Sequence, residues 1–180
     1  MLGNSEKSYN VRGGFGMELF TSDLLLRTVE DSDIKEVARM WEFQKGDISL
    51  DEAKSAIEYM KNNHAQNKVG YIYHLCFAVF EKGGNKIIGW CGLDGKIADK
   101  LFIFFSIAEE YRNKGYATQS AERLLAYAFD EARVPFVNGG CDKNNIASFK
   151  VMAKIGMSQS GFEENGDPLF YIDDTLYRTL

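Results

Sequence analysis

"LFIFFSIAEEYRNKGYATQSAERLLAYAF" (residues 101–129) decides the fold. Its first part, 101–107, is a nearly unbroken apolar run, which predicts a strand covered on both faces. Its last part sets Ala117, Ala121, Leu124, Leu125 and Ala128 along one side of a helix. Between them stands a basic, polar turn that holds Gly115. A strand turning this sharply into a helix leaves the first backbone N–H groups of the helix unpaired. Those donors and the positive end of the helix dipole suit a phosphate group. Arg112 and Lys114 add charge, Gly115 lets the backbone approach a bulky anion, and small Ala117 keeps the next turn accessible. The stretch reads as a pyrophosphate cradle. It has neither the GxxxxGK[ST] of a Walker loop nor the GxGxxG of a dinucleotide fold, and alone such a turn is also common as a plain solvated connection.

Upstream, "YIYHLCFAVFE" (71–81) and "KIIGWCGL" (86–93) read as strands joined through "KGGN", a hairpin signal. "DGK" (94–96) reads as the turn into the next strand, 100–108. Before these, "LLLRTV" (24–29) is a β-type run and "DSD" (31–33) supplies a helix cap. Ile34, Val37, Ala38 and Trp41 follow at helical spacing. "SLDE" is a capping box, Ser49 with Glu52, and opens an apolar face of Ala53, Ala56, Ile57 and Met60.

Downstream, "PFVNGGCD" (135–142) is a strand signal. "NNIASFKVMAKIG" (144–156) is a helix capped by Asn144 or Asn145 and closed by Gly156. Residues 157–164 and 168–179 read as a final hairpin. The predicted order is β-α-α-β-β-β-α-β-α-β-β, an α/β (α+β) chain with a mixed sheet and helices packed on it. Residues 1–16, polar and rich in glycine, read as a mobile N-terminal tail, and residues 17–180 as a single domain; Met17 is a candidate start.

At 180 residues, 45% hydrophobic and 13% aromatic, the chain is long and apolar enough to bury a sizeable core. Its net charge of −5 argues against general affinity for nucleic acid. No run reaches membrane-spanning length, and the start has no apolar signal segment, so neither nucleic acid nor membrane is an expected partner. Cys76, Cys91 and Cys141 are widely spaced and form no CxxC pair, which fits a reduced, cytoplasmic setting. His74 and Cys76 alternate on one strand face, but without HExxH or a cysteine cluster no metal is expected.

"RNKGYA" (112–117) resembles the [RQ]-x-x-G-x-[GA] acyl-CoA signature of the GNAT superfamily of N-acetyltransferases. "NNIASFKVMAKIGM" (144–157) resembles the N-x-x-S helix of the branch with ribosomal-protein and small-molecule acetyltransferases, its asparagine at Asn145 and its serine at Ser148. The resemblance covers about residues 17–180 and implies a GNAT-like, mostly antiparallel central sheet with helices on both faces. It also implies an acyltransferase, one moving groups other than aminoacyl, that passes the acetyl group of acetyl-CoA by direct attack to an amine. Homodimers are common in that family.

The resemblance assigns roles. Backbone N–H groups of Asn113, Lys114, Gly115, Tyr116, Ala117 and Thr118 would hold the CoA pyrophosphate, with Arg112 and Lys114 helping by charge. The pantetheine arm would pair like an extra strand with Phe105, Ser106 and Ile107, with Gly139 and Gly140 leaving room beside it. A backbone N–H near Ser106 or Ile107 would stabilise the thioester oxyanion. Asn145 either caps its helix or bonds the pantetheine, and Ser148 either protonates the leaving thiolate or bonds within its helix.

Here the chain departs from the pattern. Phe102 stands where relatives often have a glutamate base, Phe104 where they often have glycine, and Met152 where many have an acidic tyrosine. Asp94 or Asp99, Glu42 and His74 are candidate substitutes for the base; His74 is chemically best, and each also has a plain surface or packing reading. Cys141 next to the glycines is a candidate for an acetyl-cysteine or for small buried packing. Trp41, Phe43, Phe162, Phe170 and Tyr171 offer aromatic walls for the acceptor, and Glu42, Asp47, Glu163 and Asp173 offer charge for a cationic amine. The acceptor that the resemblance implies is a primary amine of a small molecule or a protein N-terminus. The missing base and acid leave open a catalytically silent acyl-CoA sensor of the same fold.

Overall fold

The apolar run after Lys100 becomes a central strand of a nine-stranded sheet in the computed structural model, which describes residues 9–12, 16–41, 46–97 and 100–180. In chain order the elements are β1 (Tyr9–Arg12), β2 (Gly16–Phe20), β3 (Leu24–Arg27), α1 (Ile34–Met40), α2 (Leu50–His64), β4 (His74–Glu81), β5 (Gly89–Ile97), β6 (Lys100–Ile107), α3 (Tyr116–Ala126), β7 (Phe136–Gly140), α4 (Ile146–Lys154), β8 (Ser158–Phe162), β9 (Pro168–Asp173) and α5 (Asp174–Tyr177). The sheet order is β1-β2-β3-β4-β5-β6-β7-β9-β8, antiparallel throughout except between β6 and β7. The mixed, mostly antiparallel sheet is as expected, and the predicted elements recur in their order.

Three additions and one correction stand out. Tyr9–Arg12, inside the segment expected to be a tail, pairs with β2 from Tyr9↔Leu19 to Arg12↔Gly16. An edge strand needs no apolar alternation, which is why composition did not show it. β2 itself and the short α5 complete the additions. The turn expected at 94–96 is strand instead: β5 runs on to Ile97 with a register irregularity between Asp94 and Ile97. Gly95 donates its N–H to the Tyr73 carbonyl, and a Cβ there would sit 2.1 Å from the Ile72 oxygen. The glycine is spent on a bulge, not a turn.

Strand alternation splits the core into two layers. Leu75, Phe77 and Val79 of β4 face α3 and α4, with Ile103, Leu124, Leu125 and Met152. Ala78 and Phe80 face α1 and α2, with Val37, Ala53, Ile57, Met60 and Trp90. Helices thus cover both faces. The Ser49–Glu52 capping box is made in both directions, at 3.2 and 2.8 Å. Asp33 does not cap α1 by its side chain; it takes both prongs of Arg27 at 2.7 Å and the Glu30 N–H at 2.8 Å. Trp90 donates its indole N–H to the Met40 carbonyl at 2.8 Å, tying α1 to the sheet.

Candidate functional site

Among the described residues β6 and β7 are the one parallel pair of neighbours, and their register holds one pair, Phe102 with Asn138. Beyond it toward Ile107 the strands no longer pair, so this side of β6 opens into a gap. The chain leaves β6 through a 3-10 turn, Glu109–Tyr111, and enters α3 through Gly115. Gly115 has φ +80° and Asn113 φ +63°, so the turn doubles back through the left-handed region twice. A Cβ on Gly115 would meet no protein atom within 4 Å. As the helix cap, Gly115 supplies no side-chain acceptor to the first-turn N–H groups of α3.

This first turn faces α4 across a groove of about 510 Å³. Ile107, Arg112, Asn113, Gly115, Tyr116, Ala117 and Thr118 wall one side. The other side is α4, through Ile146, Ala147, Lys150, Val151 and Lys154. Sequence reasoning missed these. Ile146, Lys150 and Lys154 recur every four residues, which puts them on one helix face, and that spacing was the available signal. Both lysines are exposed and bring positive charge to the groove.

The two cations of the turn behave differently. Arg112 lines the groove and donates Nε–H to the Ile107 carbonyl at 3.0 Å. Lys114 does not wall the groove. Its Nζ is 3.5 Å from Glu81 Oε1 and stands over the rings of Tyr111 and Tyr116. Tyr116 donates to the same Glu81 oxygen at 2.6 Å, and that hydrogen bond, with burial and the nearby negative charges, pushes its phenol up to about 12.

Of the other candidates, Phe105 packs toward the α3–α4 core and Ser106 pairs across the sheet with Trp90; neither walls the groove. Asn145 does cap α4, accepting the Ser148 N–H at 3.0 Å. Ser148 lies one turn before Met152 on the same helix face, outside the groove wall. Gly139 does not leave room for a ligand on its Cβ side, because a Cβ there would sit 2.8 Å from Met152 Sδ. Cys141 is partly buried, and burial with Asp167 and Asp142 nearby raises its thiol pKa, which disfavours a nucleophilic thiolate.

The expected acceptor walls are not gathered. Trp41 meets Trp90 edge to face at 5.6 Å, Phe170 is buried against Phe149, Tyr171 stacks on Phe136, and Phe162 is exposed on β8. Glu42, Phe43 and Asp99 lie outside the described residues. His74 is 8% exposed on the α1–α2 face, in register with Asp94.

Residues 23–158 match the family model of the acetyltransferase (GNAT) domain. The chain is similar to the uncharacterized N-acetyltransferase YnaD of Bacillus subtilis, 27% identical over 154 residues that cover 81% of this chain and 85% of that protein. Among solved structures it resembles the ribosomal-protein-S5-alanine acetyltransferase of Vibrio fischeri, with a TM-score of 0.74 at 17% identity over 87% of this chain and 96% of that one. It also resembles the microcin C7 self-immunity acetyltransferase MccE, solved with acetyl-CoA and AMP, with a TM-score of 0.66 at 13% identity over 84% and 93%.

Proposed function

The chain belongs to the GNAT acetyltransferase domain family, and on that premise we propose that it transfers the acetyl group of acetyl-CoA to a primary amine of a small molecule or a protein N-terminus. The observation that carries the reading is the groove between the first turn of α3 and α4, which opens beside the unpaired end of β6. The first-turn N–H groups hold the pyrophosphate, with no side chain at Gly115 to obstruct it. Arg112, Lys150 and Lys154 supply the positive charge around it. The pantetheine runs along the freed edge of Phe105, Ser106 and Ile107, and a backbone N–H there meets the developing oxyanion.

Asn145, the cap of α4, and Ser148 in its first turn are the residues this reading assigns to the pantetheine and to the leaving thiolate. A strong acid is not required, because a thiol with a pKa of about 8.5 is already a good leaving group. The reaction suits a reducing cytoplasm in which Cys76, Cys91 and Cys141 stay free thiols.

Calorimetric titration with acetyl-CoA, paired with dye detection of released CoA across amines and N-terminal peptides, tests the reading. Binding with amine-dependent release is the expected result. Absence of binding overturns it, and binding without release across the panel favours the silent sensor.

A further inference from the structure

His74, Asp94 and Phe102 form one row across β4, β5 and β6, His74 opposite Asp94 and Asp94 opposite Phe102. Cross-strand partners share a face, so the row lies on the side covered by α1 and α2. Phe104 stands on that face between Phe102 and Ser106. Its ring crosses β5 at Gly92, where a Cβ would sit 2.5 Å from Phe104 Cζ. The bare glycine lets the ring reach the His74 imidazole, and the two stack with centroids 6.0 Å apart and planes 11° apart. The imidazole is thereby held flat against a side chain of the central strand.

The two sides of the imidazole differ. Nδ1 is buried, makes no hydrogen bond among the described residues, and is 3.5 Å from Asp94 Oδ2. That carboxylate is aimed by its surroundings. Oδ1 takes the Lys96 N–H at 3.0 Å within the β5 bulge, and Oδ2 is 3.3 Å from Lys96 Nζ. Lys96 in turn donates to the Tyr59 hydroxyl of α2 at 2.7 Å, and the Tyr59 ring stands 6.0 Å from His74. An imidazole whose buried nitrogen faces a carboxylate carries its proton there, which leaves the lone pair on Nε2.

We infer that His74 and Asp94 form the dyad that deprotonates the acceptor amine, with His74 Nε2 as the base and Asp94 as its positioning residue. The inference rests on the acetyltransferase reading and names the base for it. The acceptor ammonium gives one proton to Nε2. The freed amine forms the C–N bond to the acetyl carbon, the C–S bond breaks, and its electron pair leaves on the CoA sulfur. The second nitrogen proton passes to that sulfur, and the imidazolium returns its proton to solvent. The order requires a neutral imidazole at rest, and burial, with Lys96 adding to it, lowers the His74 pKa, against the opposing pull of Asp94.

Among the described residues, the titratable and charged groups facing His74 are Asp94 and Lys96 of β5, Tyr59 of α2 and Cys76 of its own strand. The test is the pH profile of kcat/KM in the full chain, beside calorimetric acetyl-CoA binding. His74→Gln is expected to lower kcat by at least about 10²-fold and erase the acid limb, with acetyl-CoA affinity unchanged. Asp94→Asn keeps the imidazole but removes its anion, so the acid limb moves to lower pH. Lys96→Met removes the opposing cation, so the limb moves to higher pH. Opposite displacements from two neighbours of one imidazole are not produced by loss of structure. An acid limb at the wild-type position in all three variants overturns the dyad while leaving the transferase standing. A wild-type chain without acetyl-CoA binding overturns the transferase, and the dyad with it.

Discussion

Arg112 Nε donates to the carbonyl of Ile107 at 3.0 Å, so the first cation of the turn braces the end of the strand it follows. The same guanidinium lines the groove, and one residue serves both the shape of the cradle and its charge. A hydrogen bond from a charged donor to a backbone carbonyl is worth about 1.5–3 kcal/mol. Arg112 is exposed, so water competes for that bond, and Arg112→Ala is expected to lower stability by less, about 0.5–1 kcal/mol, and to weaken acetyl-CoA binding as well. Arg112→Lys keeps the charge but lacks Nε in that position, and recovers part of the affinity without the stability. Denaturant midpoints and calorimetry separate the two contributions.

Gly115 gives a cleaner separation. Its φ of +80° penalises any other residue by about 1 kcal/mol, yet a side chain there would meet no protein atom within 4 Å. Gly115→Glu should fold, with a slightly lower melting temperature, and should fail to bind acetyl-CoA, because bulk and negative charge then occupy the pyrophosphate position. Wild-type affinity in the folded variant would place the pyrophosphate elsewhere.

Much of this was legible because the signals are local. The strand, turn and helix of residues 101–129 follow from an apolar run, a glycine and helical spacing, and the Ser49–Glu52 box is a contact over three residues. What stayed hidden depends on partners distant in sequence. Nothing local says that Lys114 turns to Glu81 on β4 while Arg112 turns back to Ile107. Gly139 reads as empty space until Met152 arrives to fill it. Gly95 reads as a turn until the Tyr73 carbonyl takes its N–H and keeps it in the strand. The row of His74, Asp94 and Phe102 is set by register over three strands, which residue spacing within one strand does not specify.

Lys150 and Lys154 are exposed, so their charge can be reversed without disturbing the core. Both face the groove from α4. Lys150→Glu with Lys154→Glu is expected to weaken acetyl-CoA binding by about 10-fold or more at low salt, and by less as salt screens the phosphates. Lys54→Glu, exposed on α2 across the sheet, makes the same change of charge away from the groove and should leave affinity unchanged. Equal effects at both places would show a general field and not a contact. The measurement is the dissociation constant against ionic strength.

Asp33 sets a pH dependence of stability that is independent of the groove. Burial pushes its carboxyl up, but the two-pronged hydrogen bond from Arg27, the Glu30 N–H and the Arg27 charge outweigh it, and the net shift is downward. The folded chain therefore binds this proton less readily than the unfolded one. Its contribution is present in full above the ordinary aspartate value of about 3.9 and is lost as pH falls from there through the folded value. Asp33→Asn removes the charge and strands a half-buried Arg27, at a cost of about 2 kcal/mol near pH 7. That deficit should shrink below about pH 4, where the wild-type carboxylate begins to lose its own advantage. Urea midpoints of both proteins across that range decide it: a deficit that stays constant with pH would mean that Asp33 acts by shape and not by charge.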